Sequence, residues 1–183
     1  MRKLTPLELS RLRPSPAEMR HRPRRPLYAL ADNVRSMHNI GAMFRTADGA
    51  GLAKLFLCGI SACPPRPEIR KTSLGAEEAV PWEYVPSAAQ ALRRLKAEGV
   101  QIVVLEHTDC SHDFRVAPYR FPLCLVVGHE HYGVCDEVVA LADLAVEIPM
   151  AGVKESLNVS VAFGIALFEI VHHFDAQQGQ RLA

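Results

Sequence analysis

Ile148-Pro-Met-Ala-Gly-Val-Lys-Glu-Ser-Leu-Asn-Val-Ser-Val-Ala-Phe-Gly-Ile-Ala-Leu-Phe-Glu169 joins an apolar strand end, a polar loop and an apolar helix without a break. The first N–H groups of a helix lack internal partners and carry the positive end of its dipole. A loop that delivers Ser156 and Asn158 to a helix start is therefore ready to hold a polar ligand. The helix expected over about 158–174 is apolar nearly all round, which calls for burial on two sides, by its own sheet and by a second subunit.

Upstream, short apolar runs recur at 27–31, 54–59, 100–106, 123–128 and 144–149. Their near-continuous apolar character marks strands buried on both faces, as in a parallel sheet covered by helices. Helical segments fall between them. One opens at Ser87, with Gln90 completing a capping box, and stops at Gly99; others are expected over about 39–50 and 134–141. Alternating strand and helix in 183 residues, with 49% hydrophobic and 22% charged side chains, describes a single α/β domain.

The net charge of +1 conceals an asymmetry. Residues 1–25 hold eight Arg or Lys against two Glu, for +6, while the remaining residues hold thirteen basic against eighteen acidic side chains, for −5. A basic, proline-punctuated arm over 1–25 ahead of a mildly acidic domain over 26–183 is an electrostatic footprint for phosphate backbones; the bland alternative is a solvated tail. No apolar run is long enough to span a bilayer without a charge, and the start of the chain lacks the apolar core of a signal peptide, so the expected location is the cytoplasm, with no membrane partner. The five cysteines form no Cys-x-x-Cys pair and are expected as free thiols.

Absent motifs narrow the chemistry. Neither Gly-x-Gly-x-x-Gly nor Gly-x-x-x-x-Gly-Lys-Ser/Thr occurs, which disfavours nicotinamide and nucleoside triphosphate enzymes. His107, Cys110 and His112 lack a matching second pair of ligands, and His129 and His131 sit two apart in a loop, so no metal is expected. Three polar islands remain, each attached to a strand end: 32–51, 126–133 and the run beginning at Ile148. Open α/β sheets bind ligands outside the carboxyl ends of their strands, so the three would converge on one site.

These islands resemble the three motifs of the TrmH (SpoU) family of SPOUT RNA methyltransferases. Asn39, Gly41 and Arg45 match Asn-x-Gly-x-x-x-Arg; Gly128, Glu130 and Gly133 match Gly-x-Glu-x-x-Gly. Pro149, Met150, Gly152, Ser156, Leu157 and Asn158 match Ile-Pro-Met-x-Gly…Ser-Leu-Asn. Lys71-Thr-Ser-Leu-Gly-Ala76 is also family-like, and His129 departs from the Asn often found there. The likeness covers about 26–174 and leaves the arm outside.

The resemblance implies a parallel sheet with a C-terminal deep trefoil knot, binding S-adenosylmethionine, in a homodimer whose subunits share the site. By the same likeness Glu106, His107, Gly128, Ile148, Met150, Gly152, Ser156 and Leu157 surround the cofactor, with glycine allowing close backbone approach. Arg45, Asn39, Ser156, Asn158 and Glu130 form the catalytic group, acting on a ribose 2′-hydroxyl of tRNA or rRNA. A guanidinium stays charged far above neutral pH, and bringing its titration into the neutral range would cost about 8 kcal/mol, so Arg45 is expected to grip a phosphate and stabilise the developing alkoxide rather than act alone as base. An ion pair with Asp48 is its bland alternative. Glu130 is expected to hold loop N–H groups or to orient Arg45, and His131 and Tyr132 to face RNA. The alternative function is a catalytically silent RNA-binding protein on the same fold.

Overall fold

In the computed structural model, which describes residues 1–14, 18–19 and 22–179, seven strands form one parallel sheet. They are β1 Arg25–Asp32, β2 Leu52–Cys58, β3 Trp82–Val85, β4 Gln101–Leu105, β5 His112–Asp113, β6 Leu123–Val127 and β7 Leu144–Glu147. Among the described residues the helices are α1 Pro6–Arg11, α2 Met37–Ala50, α3 Pro67–Ser73, α4 Ala76–Ala79, α5 Ala88–Ala97, α6 Asp136–Val139 and α7 Val159–Gln177. All five strands expected from the apolar runs are present. The short edge strands β3 and β5, and helices α1, α3 and α4, were not foreseen. The helix expected over 134–141 shortens to α6.

The apolar runs are continuous because both sheet faces are covered. Leu27, Ala29 and Ala31 of β1 point with Leu55, Leu57, Leu125 and Val127 into a core closed by α2, α3 and α7, where Phe44, Ile69, Phe163 and Leu167 are fully buried. The alternate residues Leu30, Phe56, Val104, Cys124 and Val126 face the opposite way, against Ala91, Leu92 and Leu95 of α5 and Val138 of α6. Burial of each large aliphatic or aromatic side chain contributes about 1.5–3 kcal/mol, so the two layers, rather than helix propensity, hold the elements in place.

The strand order is β3-β2-β1-β6-β4-β7-β5. The chain builds outward from β1 to β3, then returns to fill the other side, and β6 enters between β1 and β4. The carboxyl ends of β1, β6, β4 and β7 thus lie side by side although their loops are far apart in sequence, and a crevice opens where the winding direction reverses.

Ser36 caps α2 by accepting the N–H of Asn39, and Gly51 ends it with φ +67°, a left-handed conformation that glycine adopts without strain. Asn158 caps α7 by accepting the N–H of Ser160. Ser87 caps α5 through the Gln90 N–H; among the described residues the return bond of a full capping box is not formed. By length and composition alone α7 would cross a bilayer. Its apolarity has a core explanation: Phe163, Ala166, Leu167, Ile170 and Val171 are buried, while Val161, Ile165 and Phe168 are 50%, 40% and 49% exposed along one stripe.

The basic arm meets the domain sooner than its charge pattern implied. Arg25 already belongs to β1, and its guanidinium grips buried Asp175 of α7 through two bonds of 3.1 and 3.0 Å while also donating to the Ala50 carbonyl. Arg24 donates to the carbonyls of Leu52 and Ala79. Further out, Thr5 and Glu8 form a capping box on α1, and Arg2 pairs with Glu8. Arg20, also counted in the arm, lies outside the described residues.

Candidate functional site

A cavity of about 410 Å³ opens at the ends of β4, β6 and β7 and the start of α7, within the range of small-molecule sites. Of the residues expected to surround a cofactor, Glu106, His107, Gly128, Ile148, Met150, Ser156 and Leu157 line it; Gly152 does not, and stands exposed in the loop with no neighbour near its Cα substituent position. Glu130, Ser156 and Asn158 of the expected catalytic group also line it. Asn39 and Arg45 are not wall residues.

The β6 end is built by close backbone approach. A Cβ on Gly128 would lie 2.1 Å from the Gly133 carbonyl carbon, so only hydrogen fits there. His129 and Gly133 exchange backbone hydrogen bonds of 2.9 Å, and Gly133 turns the chain at φ +69°. The loop is held from beneath by Glu106, whose carboxylate accepts the N–H of Val134 at 2.8 Å and that of His107 at 2.9 Å. Asp32, 2% exposed at the end of β1, accepts the Cys135 N–H and the Asn33 side-chain amide. Sequence reasoning missed Asp32; its position as the one carboxylate directly following the β1 apolar run was the available signal.

The three polar islands are joined by one hydrogen-bonded chain. Glu130 accepts the backbone N–H groups of Arg35 and Ser36 and the side-chain amide of Asn39, at 3.2, 2.9 and 3.0 Å. The Asn39 carbonyl oxygen accepts Asn158 Nδ2 at 3.2 Å and Ser160 Oγ at 3.5 Å. Partial burial pushes the Glu130 carboxyl up, but the backbone N–H groups of Ser36, Glu130 itself and Arg35 and the Asn39 amide together more than reverse this and hold it below the usual carboxylate range. A carboxylate so engaged is a poor proton acceptor and a good clamp. It holds loop N–H groups and Asn39, and makes no bond to Arg45.

His107 closes the other side. Its Nδ1 lies 3.2 Å from Glu147 Oε2, and its Nε2 lies 3.0 Å from the Glu155 carbonyl oxygen, so one imidazole ties the end of β7 to the loop that leads into α7. The Glu147 contact raises the His107 pKa, partly offset by burial, with a further upward push from the Glu155 carbonyl. Ser111 donates to the same Glu147 carboxylate. Neither Glu147 nor the Glu155 carbonyl was anticipated.

Arg45 is exposed on α2, and its side chain has no hydrogen bond or ion pair among the described residues, Asp48 included. Six residues along a helix is about 9 Å of rise and roughly 240° of turn, so Arg45 faces away from Asn39. His131 and Tyr132 are exposed at the cavity rim, with Tyr132 packed 4.9 Å from both the His129 and His131 rings. All five cysteines are free. Among the described residues no three His, Cys, Asp or Glu side chains are grouped as a metal set would be.

A family model described as the SpoU rRNA Methylase family matches residues 26–168. The chain is 37% identical over 153 residues to the 23S rRNA (guanosine-2'-O-)-methyltransferase RlmB of Vibrio vulnificus, covering 84% of this chain and 62% of that protein. It is 36% identical over 143 residues to the tRNA (guanosine(18)-2'-O)-methyltransferase of Thermus thermophilus, covering 78% and 73%. It spans about three fifths of the length of the rRNA-directed relatives it matches. The crystal structure of the A. aeolicus TrmH/SpoU tRNA modifying enzyme superposes with a TM-score of 0.78 at 35% identity, over 90% of this chain and 84% of that one. That of the SpoU methyltransferase AviRb from Streptomyces viridochromogenes in complex with the cofactor AdoMet gives 0.76 at 29% identity, over 86% and 64%.

Proposed function

The chain belongs to the SpoU rRNA methylase family, and on that premise we propose that it methylates a ribose 2′-hydroxyl of tRNA or rRNA, with S-adenosylmethionine as donor. The observation that carries this reading is the Glu130–Asn39–Asn158 chain beside the cavity, which brings all three polar islands to one place.

The cavity residues fit the donor. Its wall combines apolar surface from Leu105, Val127, Ile148 and Leu157 with the crowded Gly128 backbone, suited to an adenine face and a close main-chain approach. When bound, S-adenosylmethionine supplies a methyl group on a positively charged sulfur. Held by the walls around Gly128, Ile148 and Leu157, it would supply that methyl group to the RNA 2′-oxygen, whose proton would pass to water or an RNA phosphate.

The chain's own groups orient and polarise. Glu130 fixes the Asn39 amide, so that Asn39 and Asn158 present a set edge to the ribose. Arg45, permanently charged and unpaired, grips the adjacent phosphate and stabilises the developing alkoxide. Arg45 is absent from the wall of its own cavity, and we read it as serving the cavity of a second subunit. The exposed stripe Val161, Ile165 and Phe168 on α7, spaced for one helix face, supplies the apolar surface for that homodimer. The insertion of β6 between β1 and β4, with β7 beyond β4, supports the deep trefoil knot over the C-terminal part. Residues 26–183, joined by Arg24 and Arg25, form the domain, and the basic residues ahead of them form an RNA-contacting arm; the working location is the cytoplasm, with its tRNA and rRNA.

The deciding experiment incubates the protein with methyl-labelled S-adenosylmethionine and unfractionated cellular RNA. Label in the RNA as 2′-O-methylribose, lost with Arg45→Ala, is the expected result. No transfer to any tRNA or rRNA fraction would leave an RNA-binding protein without this activity.

A further inference from the structure

A second cavity, of about 520 Å³, lies between the loops that follow β1 and β2, with Arg35, Met37, Ala62, Cys63, Pro65 and Arg66 in its lining. The expected catalytic and cofactor residues take no part in it. Its chemistry is uneven in an informative way. Arg25, Arg70, Arg93, Arg94 and Arg115 each have an acidic partner. Arg35 and Arg66 have no side-chain partner among the described residues. Between these two free guanidiniums the lining includes the apolar side chains of Met37, Ile60, Ala62, Pro64 and Pro65, with Ser61 and Cys63 among them.

Two forked cations over an apolar floor suit a nucleotide. Guanidinium groups bind phosphate bidentately and stack on bases, and the floor accepts the flat face of a base. The cavity also has a fixed relation to the first one. The N–H groups of Arg35 and Ser36 bond to the Glu130 carboxylate, which lines the methyl-donor cavity. The two cavities are therefore linked through Glu130, which lines the first and holds the backbone of Arg35 in the second. The adjoining hollow shares Pro64, Pro65 and Arg66 with this cavity, and there Glu77 and Glu78 balance the cations, with Glu78 paired to Arg70.

We propose that this second cavity seats the RNA nucleotide next to the one being methylated, its base on the Met37–Cys63 floor and its phosphate between Arg35 and Arg66. The assignment rests on the RNA methyltransferase reading above. It makes the pair a determinant of which RNA site is accepted, separate from the methyl-transfer groups.

Cys63, half-buried in the lining, reports occupancy. The test measures its alkylation by N-ethylmaleimide, resolved by mass spectrometry from the other cysteines, with and without unfractionated tRNA or rRNA, in wild type and in Arg35→Gln/Arg66→Gln. RNA should slow modification of wild-type Cys63 but not of the double variant. The variant should bind RNA at least about tenfold more weakly, with its log–log salt slope reduced by about 2, and should keep its affinity for S-adenosylmethionine. Arg66→Lys, which keeps charge without the fork, should recover only part of the RNA affinity.

Equal Cys63 protection in wild type and double variant, or unchanged RNA affinity, would overturn the proposal. Protection by millimolar 5′-GMP as strong as by RNA would reassign the cavity to a free nucleotide and overturn it as well. Wild type that neither binds RNA nor transfers label would instead remove the underlying reading. Label transfer with no Cys63 protection would remove the cavity assignment alone.

Discussion

Asn39 Nδ2 donates to Glu130 Oε1 at 3.0 Å, linking residues 91 positions apart. This bond sets the amide's orientation: with the NH₂ facing a carboxylate, the carbonyl oxygen must face Asn158 and Ser160, as it does. Asn39→Asp places like charges together and should lower kcat more than Asn39→Ala, which removes one positioned group and should cost about a hundredfold. Steady-state kinetics beside calorimetric cofactor titration checks this, since cofactor affinity should hardly move.

Glu130 predicts a pH signature. Its carboxyl titrates below the ordinary value of 4.5, so the folded state gains stability from it above that pH and loses it as pH falls through the lowered value. Glu130→Gln, which cannot titrate, should be less stable than wild type by about 1 kcal/mol at neutral pH, and the gap should close at acid pH as the wild-type carboxyl protonates. Urea unfolding at both pH values measures the difference; a constant gap would contradict the assignment.

His107 should act in the opposite sense. Its pKa lies above the ordinary 6.5, chiefly through Glu147, so its contribution is complete below that pH and fades as pH rises through the raised value. Protease cleavage within the 148–157 loop should therefore increase on the alkaline side in wild type. In His107→Gln it should be high throughout and nearly independent of pH.

The glycines divide cleanly. Gly128→Ala drives a Cβ into the Gly133 and Val134 backbone, and should destabilise by about 3 kcal/mol or more. Gly152→Ala meets open space and should leave stability within about 0.5 kcal/mol. Thermal unfolding distinguishes them, and similar losses at both would refute the packing argument.

Much of this was legible in sequence for a physical reason. Strands buried on both faces carry uninterrupted apolar runs, so β1, β2, β4, β6 and β7 announced themselves, and Asn158 declared the start of α7 by its capping chemistry. β3 and β5 are short edge strands, half exposed and mixed in character, with no periodic signal. Helix α3 starts at Pro67 with no side-chain cap from Arg66, and α4 is only four residues long. The placement of β6 between β1 and β4 depends on pairings that no local pattern encodes. For the same reason the motif residues could be picked out along the chain, whereas the Glu130–Asn39–Asn158 link, the Glu147–His107–Glu155 tie and the second cavity could not. They depend on which loops the sheet brings together.

The arm offers a further check. Since Arg24 and Arg25 are held by the domain, the informative truncation ends at residue 22. Removing 1–22 should weaken RNA binding and flatten its salt dependence while leaving cofactor binding and thermal stability unchanged. Unaltered RNA affinity would assign the arm no contact with nucleic acid.

Arg25 clasps Asp175 where the first strand meets the last helix. During synthesis, β1 leaves the ribosome with its cation uncompensated and waits for some 150 further residues before the acidic partner emerges. Asn39 and Glu130 likewise wait for Asn158. A chain interrupted anywhere before α7 therefore holds at most two complete polar islands and cannot complete the site, and quality control by proteolysis would meet an open sheet rather than a weakened enzyme.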